Sequence, residues 1–321
     1  MEIQIFIALG VSLIVGLILC PVFIPLLHKM KFGQYIREEG PEAHLKKQGT
    51  PTMGGIMILI AMLVGSAAVS YFYPDVFFVM IFTFLFGVVG LIDDILKLAK
   101  HQSEGLKAWQ KMGLQIIFTI MLILYIALMS PNGVVTIIPF YGEVSLGGWF
   151  YPIAAVAILG TVNGANFTDG LDGLASSVTS VIAGFFAIAA VLLKSDTVGS
   201  SLAMLGALLA FLCFNAYPAK VFMGDTGSLA LGGFVSATAL MLKMPIFLII
   251  VAFIYLAEIL SVMLQVSYFK LTHGKRIFKM SPIHHHFELC GWSETKVVAI
   301  FTIVTVVLCA VGLMALQMAV L

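Results

Sequence analysis

Charge is scarce in this sequence. Only 10% of its 321 residues are Asp, Glu, Lys or Arg, while 61% are hydrophobic and the mean hydropathy is +1.09. A water-soluble domain carries about 25% charged residues, so a soluble fold is excluded, and no nucleic-acid partner is expected. Cysteine is sparse as well. Cys20, Cys213, Cys290 and Cys309 stand without CxxC or paired-histidine spacing, so they read as small buried hydrophobes rather than a disulfide frame or a metal site. The N-terminus lacks the basic n-region of a signal peptide, and its apolar run of about 25 residues reads as a first membrane span.

What remains is a set of long apolar runs. Each is long enough to cross about 30 Å of hydrocarbon as a helix of roughly 20 residues, so helices rather than barrel strands are expected. The sequence predicts an all-α polytopic membrane protein, a single domain over residues 1–321. About ten transmembrane helices are expected near 3–27, 53–73, 76–96, 111–130, 150–164, 175–193, 199–217, 228–243, 246–268 and 296–319. Residues 131–149 alternate and carry Pro and Gly, which predicts a small hairpin. No internal repeat is visible.

The basic residues are distributed unevenly. Fifteen of the 17 Lys and Arg fall on one set of connections or at helix ends beside them, and only Lys194 and Lys243 on the other. By the positive-inside rule both termini lie outside and the basic connections face the cytoplasm. All seven histidines share that face.

Against this background FGVVGLIDDILK, residues 86–97, is unexpected, because an apolar segment runs into Asp93 and Asp94. A centred Asp costs about 2.5–3.5 kcal/mol on insertion, and thirteen apolar residues between Val76 and Ile92 return only about 4–8 kcal/mol. The pair is therefore expected at the cytoplasmic end of the helix. A solvated terminus is the plain reading, but negative charge there opposes the helix dipole.

Two more connections on that face carry aspartates between glycines. NGANFTDGLDGLA, 163–175, offers Asn166, Asp169 and Asp172; on a helical turn the two acids would share a face. PAKVFMGDTGSLALGG, 218–233, offers Asp225. Helix capping by Asp225, Thr226 or Ser228, or by an Asp before the helix at 175, is the alternative use. Five acids need cations. Hard oxygen ligands favour Mg²⁺ together with substrate phosphate oxygens, and Lys47, Lys97 and Lys111 can receive phosphate charge. These are the parts of phosphoryl transfer at a membrane face.

GKRIFKMSPIHHHFELCGWSE, 274–294, adds three consecutive histidines. Neighbours in sequence do not converge on one ion from a regular helix, so zinc is set aside in favour of imidazoles contacting phosphate. Glu258, with Ser261 and Gln265 on nearby turns, reads as a hydrogen-bonding residue facing the bundle or a lipid groove.

The motifs LIDDILK, NFTDGLDGLA and AKVFMGDTGS, in this order on alternate connections, resemble the polyprenyl-phosphate sugar-1-phosphate transferase superfamily. KKQGTPTMGG, 46–55, and SPIHHHFELCGW, 281–292, narrow the resemblance to its phospho-N-acetylmuramoyl-pentapeptide transferase family, over nearly the whole chain. Phe167 departs from the usual Leu, a conservative apolar change. The resemblance implies a multi-pass enzyme of the bacterial plasma membrane. Such an enzyme uses Mg²⁺ to transfer phospho-MurNAc-pentapeptide from UDP-MurNAc-pentapeptide to undecaprenyl phosphate, forming lipid I and UMP at the cytoplasmic face.

It further implies that Asp225 ligates Mg²⁺, Asp93 acts as base on the lipid phosphate, Asp94 is its close partner and His284 is a catalytic-site residue. Asp172, Asn215 and Phe222 would hold the uridine. Lys47, Thr52, Asn166, Asp169, His284 and His285 would line the nucleotide and phosphate region, with Lys97 and Lys111 near phosphates. A homodimer is a family-level expectation. The competing readings are a sister transferase using UDP-GlcNAc, against which the histidine motif argues, and an ion or proton transporter. Transporters place their acids near the midplane rather than at one face.

Overall fold

A computed structural model describes residues 2–29, 49–100, 102, 105–129 and 133–320. The chain is helical at all ten expected places. The helices of the described residues are, in order, α1 (Glu2–Lys29), α2 (Gly55–Val69), α3 (Val76–Lys100), α4 (Ala108–Leu128), α5 (Phe150–Thr168), α6 (Leu174–Leu192), α7 (Val198–Asn215), α8 (Gly224–Met241), the short α9 (Leu248–Val251), α10 (Phe253–Leu271), the short and unexpected α11 (Ile283–Leu289), and α12 (Glu294–Val320). Eight of them are long and apolar enough to cross a membrane. Neither α2, at 15 residues, nor α8 is among these. From Thr226 to Met241 every residue of α8 is buried; a helix enclosed by protein can carry glycine and small polar residues that lipid would penalise. Outer helices show the opposite pattern, with Ile14, Ile18, Ile116, Ile120, Met263, Ile303 and Val307 exposed as an apolar belt. This is a multi-pass membrane protein.

Two expectations are refined and a third, the hairpin, is met. The segment at 246–268 is not one helix: a 3₁₀ turn at Pro245–Phe247 leads into α9, and the axis breaks at Ala252 before α10. The aspartates Asp93 and Asp94 do not end their helix, since α3 runs on to Lys100, roughly 10 Å beyond Asp93 at 1.5 Å per residue. The hairpin forms, with β1 (Val135–Ile138) antiparallel to β2 (Gly142–Ser145) and Val135 opposite Ser145. It lies across the ends of α8 and α12, Ile137 N–H donating to Lys243 O and Phe140 N–H to Ala315 O. Lys243 pairs with Glu143 there at 2.8 Å.

At the opposite end of the bundle the chain brings together the last turns of α3, α5, α7 and α10 and the first turns of α4, α6, α8 and α12. The tightest contact is α3 against α8. A Cβ at Gly90 would stand 2.0 Å from Asp225 O, so only glycine lets the two backbones meet there.

Candidate active site

α3 and α8 set the centre. Asp94 is buried, and its carboxylate reaches into the first turn of α8: Oδ1 accepts from Asp225 N–H at 3.1 Å, and Oδ2 accepts from Thr226 N–H at 2.8 Å and Thr226 Oγ1 at 2.7 Å. The first turn of a helix exposes unpaired N–H groups and positive potential. Asp94 thus caps a neighbouring helix. That placement answers the dipole objection, because an acid unfavourable on α3 alone is favourable against the start of α8. The expected local caps are replaced accordingly. Met223 stands at the α8 N-cap and Gly173, at φ 76°, at that of α6, without side-chain cap bonds.

Asp93, next in sequence, points elsewhere. Its Oδ1 accepts from Leu106 N–H at 2.7 Å and its Oδ2 pairs with Lys97 Nζ at 2.6 Å, one turn along α3. Asp225 is the hub. Its Oδ2 meets Lys97 Nζ at 2.6 Å and Lys111 Nζ at 3.0 Å, while its Oδ1 accepts from Asn166 Nδ2 at 2.8 Å. Asn166 also accepts from Lys111 Nζ at 3.1 Å and donates to Ser228 Oγ at 2.8 Å. Oxygens of Asp93, Asp94 and Asp225 come within 4.8 Å of one another and could hold a metal ion. Thr52 borders this centre: a Cβ on Gly224 would lie 2.9 Å from Thr52 Oγ1 and 2.8 Å from Asp94 Oδ2.

The second part of the site is the stretch 169–173 between α5 and α6. It is built of turns rather than a helix, so the helical i,i+3 relation between Asp169 and Asp172 does not hold. Asp172 is buried; its Oδ2 accepts from Ala219 N–H at 2.9 Å and its own N–H donates to Glu294 Oε1 at 2.6 Å. Asp169 has three other acids within electrostatic reach. Burial, and then the neighbouring Asp225, Asp94 and Asp172, push its carboxyl well above the ordinary carboxylate range.

Around the 216–223 connection, Asn215 accepts from Ser176 Oγ and donates to Val221 O. The backbone of Phe222 is paired on both sides, its N–H with Pro51 O and its O with Gly54 N–H. Its ring is half-buried. His284 lies behind the 169–173 turns, buried, with Nδ1 at 3.0 Å from Glu258 Oε1; His285 pairs with Glu288 at 2.8 Å. Lys47 lies outside the described residues.

The sequence reading missed several contributors. Ser228, considered only as a cap, holds Asn166. Glu294 fastens the 169–173 segment to α12, and nothing in its local sequence signals a partner 122 residues away. Gln115 and Asn163 form an amide pair at 2.6 Å between α4 and α5, just inside Lys111 and Asn166; two amides within apolar helices were a readable signal. An apolar cavity of about 370 Å³ runs along α5 from Trp149 to Thr161, walled by α9 and α10 through Ile249, Ala252 and Tyr255. Asn166 lies five residues beyond Thr161, roughly 7.5 Å along the helix.

Comparison with known proteins is consistent with this picture. Residues 76–243 match the glycosyl transferase family 4 model, and residues 47–59 match phospho-N-acetylmuramoyl-pentapeptide-transferase signature 1. The chain is 51% identical over 304 residues to the phospho-N-acetylmuramoyl-pentapeptide-transferase of Clostridium botulinum (strain Alaska E43 / Type E3), covering 94% of this chain and 93% of that protein. It is 52% identical over 310 residues to the protein of that name from Clostridium novyi (strain NT), covering 95% of each. A third relative of the same name, from Clostridium perfringens (strain SM101 / Type A), is 50% identical over 312 residues, 96% of each chain.

Proposed function

We propose a mechanism for this chain from the premise that it belongs to the phospho-N-acetylmuramoyl-pentapeptide-transferase family. It transfers phospho-MurNAc-pentapeptide from UDP-MurNAc-pentapeptide to undecaprenyl phosphate, forming lipid I and releasing UMP. The observation that carries the mechanism is the hub at Asp225, where two lysines, an amide and two further carboxylates converge at one end of the bundle.

The donor set fits Mg²⁺, which prefers carboxylate oxygens and substrate phosphates. Asp225 would be the ligand, with Asp93 and Asp94 at its sides. When bound, the ion supplies positive charge to the pyrophosphate. Lys97 and Lys111, whose ammonium groups meet at one Asp225 carboxylate oxygen, would contact the phosphate oxygens of the donor. Asp93 takes the proton of the lipid phosphate. An oxygen of that phosphate attacks the β-phosphorus of the donor; the new P–O bond forms as the bridging bond to the α-phosphate breaks, and UMP leaves. Asp94 stays on α8 and keeps Asp225 in register.

Uridine is held by Phe222, Asn215 and Asp172, the ring of Phe222 stacking on the base. Thr52, Asn166, Asp169, His284, His285 and Lys47 complete the nucleotide and phosphate region. The apolar cavity along α5 takes the polyprenyl chain, because it opens among exposed apolar residues and follows the helix that carries Asn166. The proposal puts this face in the cytoplasm and both termini outside, on the strength of the positive-inside rule applied to the basic connections. The proposal extends to a homodimer, which the native mass of the solubilised protein checks.

The test is UMP release by purified protein with undecaprenyl phosphate, Mg²⁺ and either UDP-MurNAc-pentapeptide or UDP-GlcNAc. Turnover of the muramoyl donor alone is expected. Trapping of a phosphosugar on Asp93 or Asp94 would replace direct attack by a two-step covalent route.

A further inference from the structure

Glu258 forms a buried pair with His284, and the transfer mechanism gives this carboxylate no role. Glu258 lies on α10 with no exposed surface, and His284, on α11, is 1% exposed. Both carboxylate oxygens are engaged: Oε2 accepts from Ile283 N–H at 3.0 Å, and Oε1 stands 3.0 Å from His284 Nδ1. An ionised carboxylate only accepts, so opposite it the ring proton sits on Nδ1. The other ring nitrogen is then aimed by default, a device by which an outer carboxylate sets both orientation and tautomer.

The direction it takes is specific. Nε2 is buried and has no hydrogen-bond partner. It faces the turn after α5, where a Cβ added at Gly170 would lie 2.2 Å from Nε2 and 2.6 Å from Cε1. Only glycine allows the imidazole edge to bear on that peptide. Gly170 joins Asp169 to Leu171 and Asp172, the segment assigned above to the donor. A buried ring nitrogen without a partner costs about 1–3 kcal/mol, and a native protein that keeps one calls for an explanation.

We propose that Glu258 is a positioning residue of the transfer reaction, acting through His284: it fixes the ring so that Nε2 supports the Asp169–Gly170 turn and engages it when the nucleotide donor binds. The inference rests on the functional reading given above. Glu258 touches no substrate; its effect passes through the imidazole to the segment carrying Asp169 and Asp172.

Two measurements on the full-length protein test it. In the first, steady-state UMP release is followed in Glu258→Ala, Glu258→Gln, His284→Asn and the Glu258→Ala/His284→Asn double variant. Glu258→Ala should lower kcat/KM for the muramoyl donor by about 10- to 100-fold, the range for loss of an outer-shell partner, while KM for undecaprenyl phosphate stays within about twofold. Glu258→Gln keeps an acceptor for Nδ1–H and should recover a substantial part of the loss. His284→Asn keeps a donor near the Nδ1 position but removes Nε2, and should fall as far as Glu258→Ala, with the double variant no worse than either. Unchanged turnover in Glu258→Ala, equal impairment of the Ala and Gln variants with both KM values raised, or multiplying losses in the double variant would overturn the proposal.

In the second, ¹⁵N imidazole spectra of His-labelled protein, assigned by His284→Asn, should show a protonated Nδ1 and an Nε2 signal that moves when UDP-MurNAc-pentapeptide is added. An unprotonated Nδ1, or an Nε2 signal unmoved by bound donor, overturns it even if Glu258→Ala does not fold. Wild-type protein that binds the donor but releases no UMP would instead overturn the functional reading, leaving the spectrum to judge this inference separately.

Discussion

Asp94 and Asp169 both stand at the site end of the bundle, within electrostatic reach of Asp225, yet their surroundings differ. Around Asp94 the polar groups are satisfied: three donors from the first turn of α8 converge on one carboxylate, and Lys97, Lys111 and Asn166 converge on the next. Around Asp169 the neighbouring acids repel, and His284 Nε2 in the wall behind has no partner. Buried donors and acceptors left unpaired cost stability. Asp94 is satisfied by protein groups alone, whereas the surroundings of Asp169 are left incomplete by the protein, a distinction that residue type alone does not make.

Substitutions at the hub should break this contrast most strongly. Asp225→Asn should reduce UMP release by at least about 10²- to 10³-fold, the range for loss of a preorganised electrostatic contact. Mg²⁺ should raise the melting temperature of the wild type but not that of this variant, since an ion binding only the folded state stabilises it by mass action. Retained Mg²⁺ stabilisation would move the metal site away from Asp225.

Asp94→Ala attacks the scaffold itself. It strips the cap from α8 and leaves Asp225 N–H and Thr226 N–H buried without acceptors, a cost of about 2–5 kcal/mol. Melting temperature and activity should fall together. A variant melting like the wild type but inactive would instead give Asp94 a purely chemical role.

Gly170→Ala sharpens the other side of the comparison. The new Cβ has to displace the His284 ring, so kcat/KM for the donor should fall about tenfold, in line with an outer-shell effect, with little change for the lipid acceptor. An equal effect on both substrates would mean that the turn serves the whole site rather than the donor.

The smallest effect is expected at Asp169, and it has the opposite sign for stability. Its carboxyl is held above the ordinary value by burial and by like charge, so the folded state binds the proton more tightly than the unfolded state. The native fold therefore loses stability as pH rises from the unfolded pKa of about 3.9 through the folded value. Asp169→Asn removes that loss and should raise the melting temperature by about 2–4 °C at pH 7, a change on the order of 1 kcal/mol. The gain should vanish below about pH 3, under the unfolded pKa, where both states of the wild type are protonated. A melting curve unchanged at pH 7 would place a cation beside Asp169.

Much of this was legible in the chain. Scarcity of charge and the length of the apolar runs predicted a helical membrane protein, and the hairpin showed in its alternation. The aspartates in three separated stretches of the chain announced a charged site. The break at Ala252 was not legible, because residues 246–268 are apolar on both sides of it. Nor was the enclosure of α8, whose small residues score weakly for a span although the helix is the most buried in the bundle.

By itself, then, the sequence determined the solvent, the helical architecture, the family motifs and the list of ionisable residues, because these depend on composition and on spacing along one chain. The tertiary structure alone decided what each of them meets. Asp93 and Asp94 are adjacent in sequence, but a helix turns successive side chains by about 100°, so one reaches Lys97 and Leu106 while the other caps α8, 131 residues away. Glu258 and His284 become a pair because α10 and α11 are packed together. A buried polar group takes whichever partner packing brings within about 3 Å, and no local pattern encodes that distance.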